Sequence, residues 1–169
     1  MGYAEKTAVS ADRSQAEIRS TLARYGASHF AFGEAPDRAV IGFRAHGRSV
    51  RFELPTPSPD DDRFWKPKPR EHGRTEYGLR NGKTGYWRLP SRAAQEWDQE
   101  IRRLWRALAL AIKAKLEVVE SGISTFEDEF LAHIVLPDNR TVGEHVSPMI
   151  EQAYETGHVR ALLPEFSGQ

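Results

Sequence analysis

The sequence predicts an α+β domain: an N-terminal helix, a three-stranded antiparallel meander, a long amphipathic helix that covers the sheet, and two short C-terminal helices. The meander is indicated by residues 38–54, where a two-residue turn at His46-Gly47 brings apolar residues opposite one another. The three successive pairs are Phe43 with Val50, Ile41 with Phe52, and Ala39 with Leu54. The long helix is indicated by residues 91–122, whose apolar side chains recur at helical spacing for about eight turns.

Capping residues and alternation mark the elements before the hairpin. A first helix is expected at 14–26, because Ser14 and Glu17 form a capping-box pattern and Gly26 can adopt the left-handed conformation that ends a helix. Residues 27–33 alternate between apolar and polar and predict the first strand.

The helices of the second half are bounded by the same kinds of residue. The predicted boundaries are Ser91 and Gly122 for the long helix, Ser124 with Glu127 for the start of a short helix, and Thr141 with Glu144 for a last helix that runs through Tyr154 to Gly157. Pro148 lies inside that last helix, where a kink or a restart is expected.

The chain is expected to form one domain from residue 14 to residue 169, after a flexible N-terminus at 1–13. The domain carries a proline-rich insertion at 55–90. Five prolines between 55 and 73 predict a loop without a helix or central strand, with Phe64-Trp65 as an anchor. Asn81-Gly82 between aromatic flanks predicts a second small hairpin at 74–90.

The composition excludes several functional classes. The chain has no cysteine, which removes thiolate nucleophiles, disulfides and cysteine-ligated metals. No segment has the apolar length of a membrane helix, and the N-terminus lacks the pattern of a signal peptide, so a cytoplasmic protein without membrane contact is expected. The 24 basic and 24 acidic residues cancel, so any nucleic-acid partner must be held by a local patch. No cofactor is expected.

Clustered basic residues are the strongest functional signal. They occur on the predicted hairpin at Arg44, Arg48 and Arg51, and on the long helix at Arg102, Arg103, Arg106 and Lys113. Such clusters bind phosphate groups, and exposed aromatic rings can stack on the bases of a single strand. The aromatic candidates are Phe64, Trp65, Tyr86 and Trp87. The alternative interpretation is a solvated surface in which acidic residues balance these charges.

A metal-dependent enzyme is a further alternative. Glu129 and His133 lie four residues apart on one face of a predicted helix, and His145 follows after a turn, so one carboxylate and two imidazoles could converge. The segment 78–85 ends like a phosphate-binding loop, but it has three residues where that loop needs four between its first glycine and Gly-Lys-Thr. A turn is the simpler interpretation of this segment.

Segments 14–33, 103–124 and 129–143 together resemble a family of small proteins encoded by bacteriophages and prophages, whose function is usually unassigned. The order of helix, meander and long helix is also similar in layout to phage single-strand annealing proteins. These resemblances imply a non-enzymatic phage protein that binds nucleic acid in the bacterial cytoplasm. The alternative is an accessory protein that binds a host protein or a small nucleotide-like ligand. A homo-oligomer is compatible with either function.

Overall fold

The structure, a computed structural model, describes residues 7–68 and 75–158. Its helices are α1 (Ala11–Arg24), α2 (Asp62–Trp65), α3 (Pro90–Glu120), α4 (Phe126–Phe130) and α5 (Val142–Thr156), with a 3₁₀ turn at Leu131–His133. Its strands are β1 (Ser28–Ala35), β2 (Arg38–Ala45), β3 (Arg48–Pro55), β4 (Thr75–Arg80) and β5 (Lys83–Arg88). The predicted α+β class and order of elements are confirmed. None of the helices in these residues has the length and apolar character needed to cross a bilayer.

The meander β1–β2–β3 has the predicted register. Phe43 pairs with Val50, and all three expected apolar pairs are present in the β2–β3 ladder. The turn residues His46 and Gly47 have φ angles of 49° and 72°, the left-handed values that a type I′ turn requires. The register therefore follows from one turn and one alternating pattern.

One face of this sheet, here called the inner face, packs against helices α1, α3 and α4. It contributes Ala39, Ile41, Phe43, Val50, Phe52 and Leu54 to the core. Trp105, Ala109, Ile112 and Leu116 of α3 join the same cluster, as do Ile18 and Leu22 of α1 and Phe126 and Phe130 of α4. Because side chains alternate along a strand, the residues between these positions point to the opposite, outer face. The helices thus cover the inner face.

Helix α1 begins earlier than expected. Ser10, and not Ser14, caps the helix, because its Oγ accepts a hydrogen bond from the Arg13 backbone N–H at 3.2 Å. Ser14 is instead fully buried within the helix. Of the expected flexible segment 1–13, residues 1–6 lie outside the described residues and residues 11–13 are helical.

Helices α3 and α4 also begin at residues other than the predicted caps. Leu89 precedes α3 and has no side-chain acceptor to cap the helix, and Pro90 at the first position has no N–H that would need a partner. Ser91 is therefore not the cap. Thr125, one residue after the expected Ser124, caps α4 by accepting a hydrogen bond from the Asp128 N–H at 3.1 Å.

The capping box of α5 is confirmed. Thr141 and Glu144 exchange both expected hydrogen bonds, and Gly157 ends the helix with a φ of 70°. The helix continues through Pro148. Pro148 has no N–H to donate to the Glu144 carbonyl four residues earlier. The guanidinium of Arg140 donates to that carbonyl instead, at 2.9 Å, and so replaces the missing bond.

The insertion contains more regular structure than the prolines predict. The expectation that it contains no helix is wrong for α2, which lies between prolines 59 and 67 and is capped by Asp61. Phe64 of this helix is buried, as an anchor requires. The hairpin β4–β5 turns at Asn81-Gly82 as predicted, with φ angles of 48° and 73°. Residues 69–74 of the insertion lie outside the described residues.

Candidate functional site

The outer face of the meander forms a shallow groove of about 580 Å³. Ala31, Gly33, Val40 and Gly42 line its floor. The floor is flat because no side chain there is larger than valine, and Ala31 and Gly42 are directly paired across β1 and β2. An open, flat surface of this kind accepts a planar or extended group.

Two exposed arginines of the hairpin have no acidic partner among the described residues, and one of them lines the groove. Arg44 lines the groove and lies opposite Ser49 in the β2–β3 ladder. Arg48 follows the turn and pairs with the buried Ala45, so its position in β3 belongs to the inner face. Both arginine side chains are exposed, and neither forms an ion pair with any residue in 7–68 or 75–158. The Arg44 charge is therefore available to a ligand in the groove.

Arg51, the third arginine of the hairpin, is bound within the chain. Its Nη1 donates to the Asn139 carbonyl at 2.9 Å, and its Nη2 donates to the Glu144 carboxylate at 2.7 Å. Its Nε lies 3.3 Å from a Glu53 carboxylate oxygen. The Thr141 N–H, and then the Arg51 charge, hold the pKa of Glu144 below its usual value. Arg51 thus ties β3 to the start of α5, and its charge is largely neutralised.

The arginines of α3 are paired as well, and they lie on the helical side of the sheet. Arg102 pairs with Asp98, and Arg106 pairs with Glu17 of α1. Arg103 makes two hydrogen bonds to Glu100, at 2.7 and 2.8 Å, and these bonds lower the pKa of Glu100. Lys113 makes no ion pair with a described residue. The sheet separates these residues from Arg44, so the two predicted basic groups do not form one surface.

The four aromatic candidates have different environments. Phe64 and Trp87 are buried, and Trp87 donates its indole N–H to the Gly78 carbonyl at 3.1 Å. Trp65 is covered by the Arg80 guanidinium, which lies 3.4 Å from the ring centroid. Tyr86 is the one of the four that is mainly exposed, at 64%.

Tyr77 is an exposed aromatic residue that the sequence interpretation missed. It pairs with Tyr86 across β4 and β5, and the two rings meet edge to face with centroids 5.1 Å apart. The signal was present in the sequence, because counting outward from the Asn81-Gly82 turn places residue 77 opposite residue 86. Leu79 lies on the same face and is 74% exposed.

The metal candidates do not converge. Glu129 pairs with Lys115, and His145 bonds to Asp138 at 2.7 Å. The ring of His133 stacks on Phe52 with centroids 4.0 Å apart, and burial lowers the pKa of this imidazole. Among the residues that the structure describes, no group of three or more histidine, aspartate or glutamate side chains is placed to hold a metal ion.

Comparison of the chain with protein-family models, with curated proteins and with solved structures finds no match. A functional interpretation therefore depends on the geometry of the groove and on Arg44 and Arg48, the two hairpin arginines without an ion pair among the described residues.

Proposed function

We propose that the outer face of the meander binds single-stranded nucleic acid without catalysing a reaction. The observation that carries this proposal is that Arg44 lines an open groove, and that neither Arg44 nor Arg48, which follows the adjoining turn, has a carboxylate partner among the described residues. The other arginines predicted to bind phosphate all have acidic partners in the chain.

The chemistry of the groove suits a nucleotide strand. A guanidinium presents a planar fork of donors that matches the oxygens of a phosphate, and an exposed arginine loses little hydration energy when it binds one. The small residues of the floor leave room for a base to lie against Val40 and Gly42. Arg51 would serve as a wall of the groove, since its donors are already bound to Asn139 and Glu144.

The direct test is the binding of a fluorescently labelled single-stranded oligonucleotide at a series of salt concentrations, followed by anisotropy. If two phosphates are neutralised, the slope of log K against log salt is about −1.4, so affinity falls about sevenfold between 50 and 200 mM salt. The double variant Arg44→Ala with Arg48→Ala should lose this salt dependence and most of the binding.

The matched control is Arg102→Ala with Arg103→Ala. It removes the same two positive charges from the helical side of the sheet and should leave binding unchanged. If the two double variants lost the same amount of affinity for the oligonucleotide, bulk charge, and not the groove, would attract it. No binding at low salt would refute the proposed function.

A small nucleotide-like ligand is the second candidate. The groove volume of about 580 Å³ favours it, because clefts for small ligands usually measure about 300–1,000 Å³. A mononucleotide that displaces the oligonucleotide at equal concentration would support this ligand. Displacement only by longer strands would support nucleic acid.

An origin in a bacteriophage or prophage, and work in the cytoplasm of a bacterial host, remain predictions from the resemblance of segments 14–33, 103–124 and 129–143. A nucleic-acid binder is compatible with that context.

A further inference from the structure

Strand β1 is an edge of the meander, and no strand in residues 7–68 or 75–158 pairs with its outer side. It pairs with β2 on one side. The far edge of β3 is partly covered, because the Val135 N–H donates to the Ser49 carbonyl at 2.8 Å and Ile134 bridges to Val50. Alternate backbone N–H and C=O groups of an edge strand point away from its neighbour and can pair with another strand. Strand β1 has eight residues, so about half of them direct these groups outward.

The composition of this edge favours pairing. Soluble proteins protect edge strands with lysine, proline or β-bulges. Strand β1, with the sequence SHFAFGEA, has neither lysine nor proline, and its register irregularity lies between Ser28 and Ala31, before Phe32. Every residue of β1 except Phe30 is exposed. Phe32, near the middle of the strand, leaves 39% of its surface in solvent although it shares the inner face with Ile41.

Two charged residues near the edge lack partners. Glu34 of β1 and Arg19 of α1 form no ion pair with any residue in 7–68 or 75–158. The Arg19 guanidinium lies 5.6 Å from the centre of the Phe30 ring. Phe30 packs against the core and Glu34 pairs with the buried Ala39, so both belong to the inner side of the sheet.

We propose that β1 pairs antiparallel with β1 of a second copy of this chain, with Phe32 on the two-fold axis. In this register Phe32 meets its own copy, and Phe30 lies opposite Glu34 of the second copy. Glu34 of one chain therefore comes next to Arg19 of the other, and two unpaired charges of opposite sign meet at each end of the interface.

The antiparallel direction also separates like charges. The two Glu34 side chains lie four residues apart along the paired strands, or about 13 Å, whereas parallel pairing in register would place them side by side. Because β3 is partly covered and β1 is open, the pairing closes after two chains and produces a dimer, not a filament. On the outer face Ala31 would lie opposite Gly33 of the second copy, so the floors of the two grooves would meet.

The first test is the mass of the protein in solution, measured by light scattering or sedimentation over a range of concentrations. The wild-type chain should dimerise. Phe32→Lys removes two aromatic side chains from the interface and places two ammonium groups at the axis, so dimerisation should weaken roughly a hundredfold. The control Leu79→Lys makes the same kind of change on β4, outside the interface, and should leave the dimer intact.

A charge exchange tests the register. Arg19→Glu and Glu34→Arg should each weaken the dimer, and the double variant should restore it, because the charges meet again with their signs reversed. Near-ultraviolet circular dichroism shows whether each variant keeps the native packing. A wild-type monomer at all concentrations would refute the proposal, as would a dimer that Leu79→Lys disrupts and Phe32→Lys does not. Neither result depends on what the groove binds.

Discussion

The two hairpins of the molecule share one turn and differ in what covers them. His46-Gly47 in β2–β3 and Asn81-Gly82 in β4–β5 are both two-residue turns with positive φ angles. The inner face of β2–β3 lies in the main core, whereas β4–β5 leaves Tyr77, Leu79 and Tyr86 in solvent. The turn sets the register of a hairpin, and the burial of one of its faces sets its stability.

The small hairpin β4–β5 is anchored to the rest of the chain by a few mixed contacts. Trp87 is buried, Arg80 covers Trp65, and Arg88 donates to the Phe64 carbonyl at 2.9 Å. None of these residues belongs to the main core cluster. The small hairpin should therefore open without unfolding the rest of the chain.

The largest expected difference comes from removing one aliphatic side chain from each hairpin. Ile41 is fully buried, so Ile41→Ala should lower the free energy of unfolding by about 2–5 kcal/mol. Leu79 is 74% exposed, so Leu79→Ala should change it by less than about 0.5 kcal/mol. Chemical denaturation measures both values. Similar losses in the two variants would mean that the hairpins share one core.

A smaller difference in stability between the two hairpins is expected when the turn glycines are replaced. Gly47 and Gly82 have φ angles of 72° and 73°, so alanine at either position should cost about 1–2 kcal/mol. For Gly47→Ala this cost should appear in global unfolding. For Gly82→Ala it should appear mainly as faster hydrogen exchange in β4 and β5. A decrease in the free energy of global unfolding for Gly82→Ala would contradict independent opening of the small hairpin.

The smallest expected effect is on the pH dependence of stability, through one carboxylate beside each hairpin. Glu144 contacts Arg51 of β3, and Asp62 bonds to Lys83 and Asn81 of the β4–β5 turn. The pKa of Glu144 is lowered first by the Thr141 N–H, and that of Asp62 first by Lys83. Since the pKa values in the folded chain lie below those in the unfolded chain, both carboxylates stabilise the folded chain at pH values above the unfolded pKa. This contribution disappears as the pH falls below about 4 and through the folded pKa.

Carboxyl NMR titration measures these two pKa values directly. Lys83→Met should return the pKa of Asp62 toward its ordinary value and leave that of Glu144 lowered. Arg51→Met should raise the pKa of Glu144 only in part, because the Thr141 N–H remains. If the pKa of Glu144 returned fully to its ordinary value in the Arg51 variant, the ion pair, and not the capping box, would be the main cause of the lowered pKa.

The sequence predicts the parts of the fold that depend on local pattern. The β2–β3 register follows from alternation about His46-Gly47, and α5 from Thr141 with Glu144. The long-range arginine pairs were not predictable from local pattern, because Arg51 contacts Glu144 and Arg106 contacts Glu17 across about 90 residues of chain. Helix starts shift by a few residues where several serines and threonines compete to cap.

The wide separation in sequence between α3 and the elements that it packs against affects how the chain is made. Glu17 of α1 bonds to Arg106, and Tyr25 bonds to Glu120, 95 residues later. A ribosome adds about 5–20 residues per second, so roughly three to thirteen seconds separate the synthesis of Pro55 from that of Glu120. During this interval the meander exists without its long helix. Until α3 is made, Ile41 and Phe52 lack the part of their core that this helix supplies, and they stay open to contact with other chains.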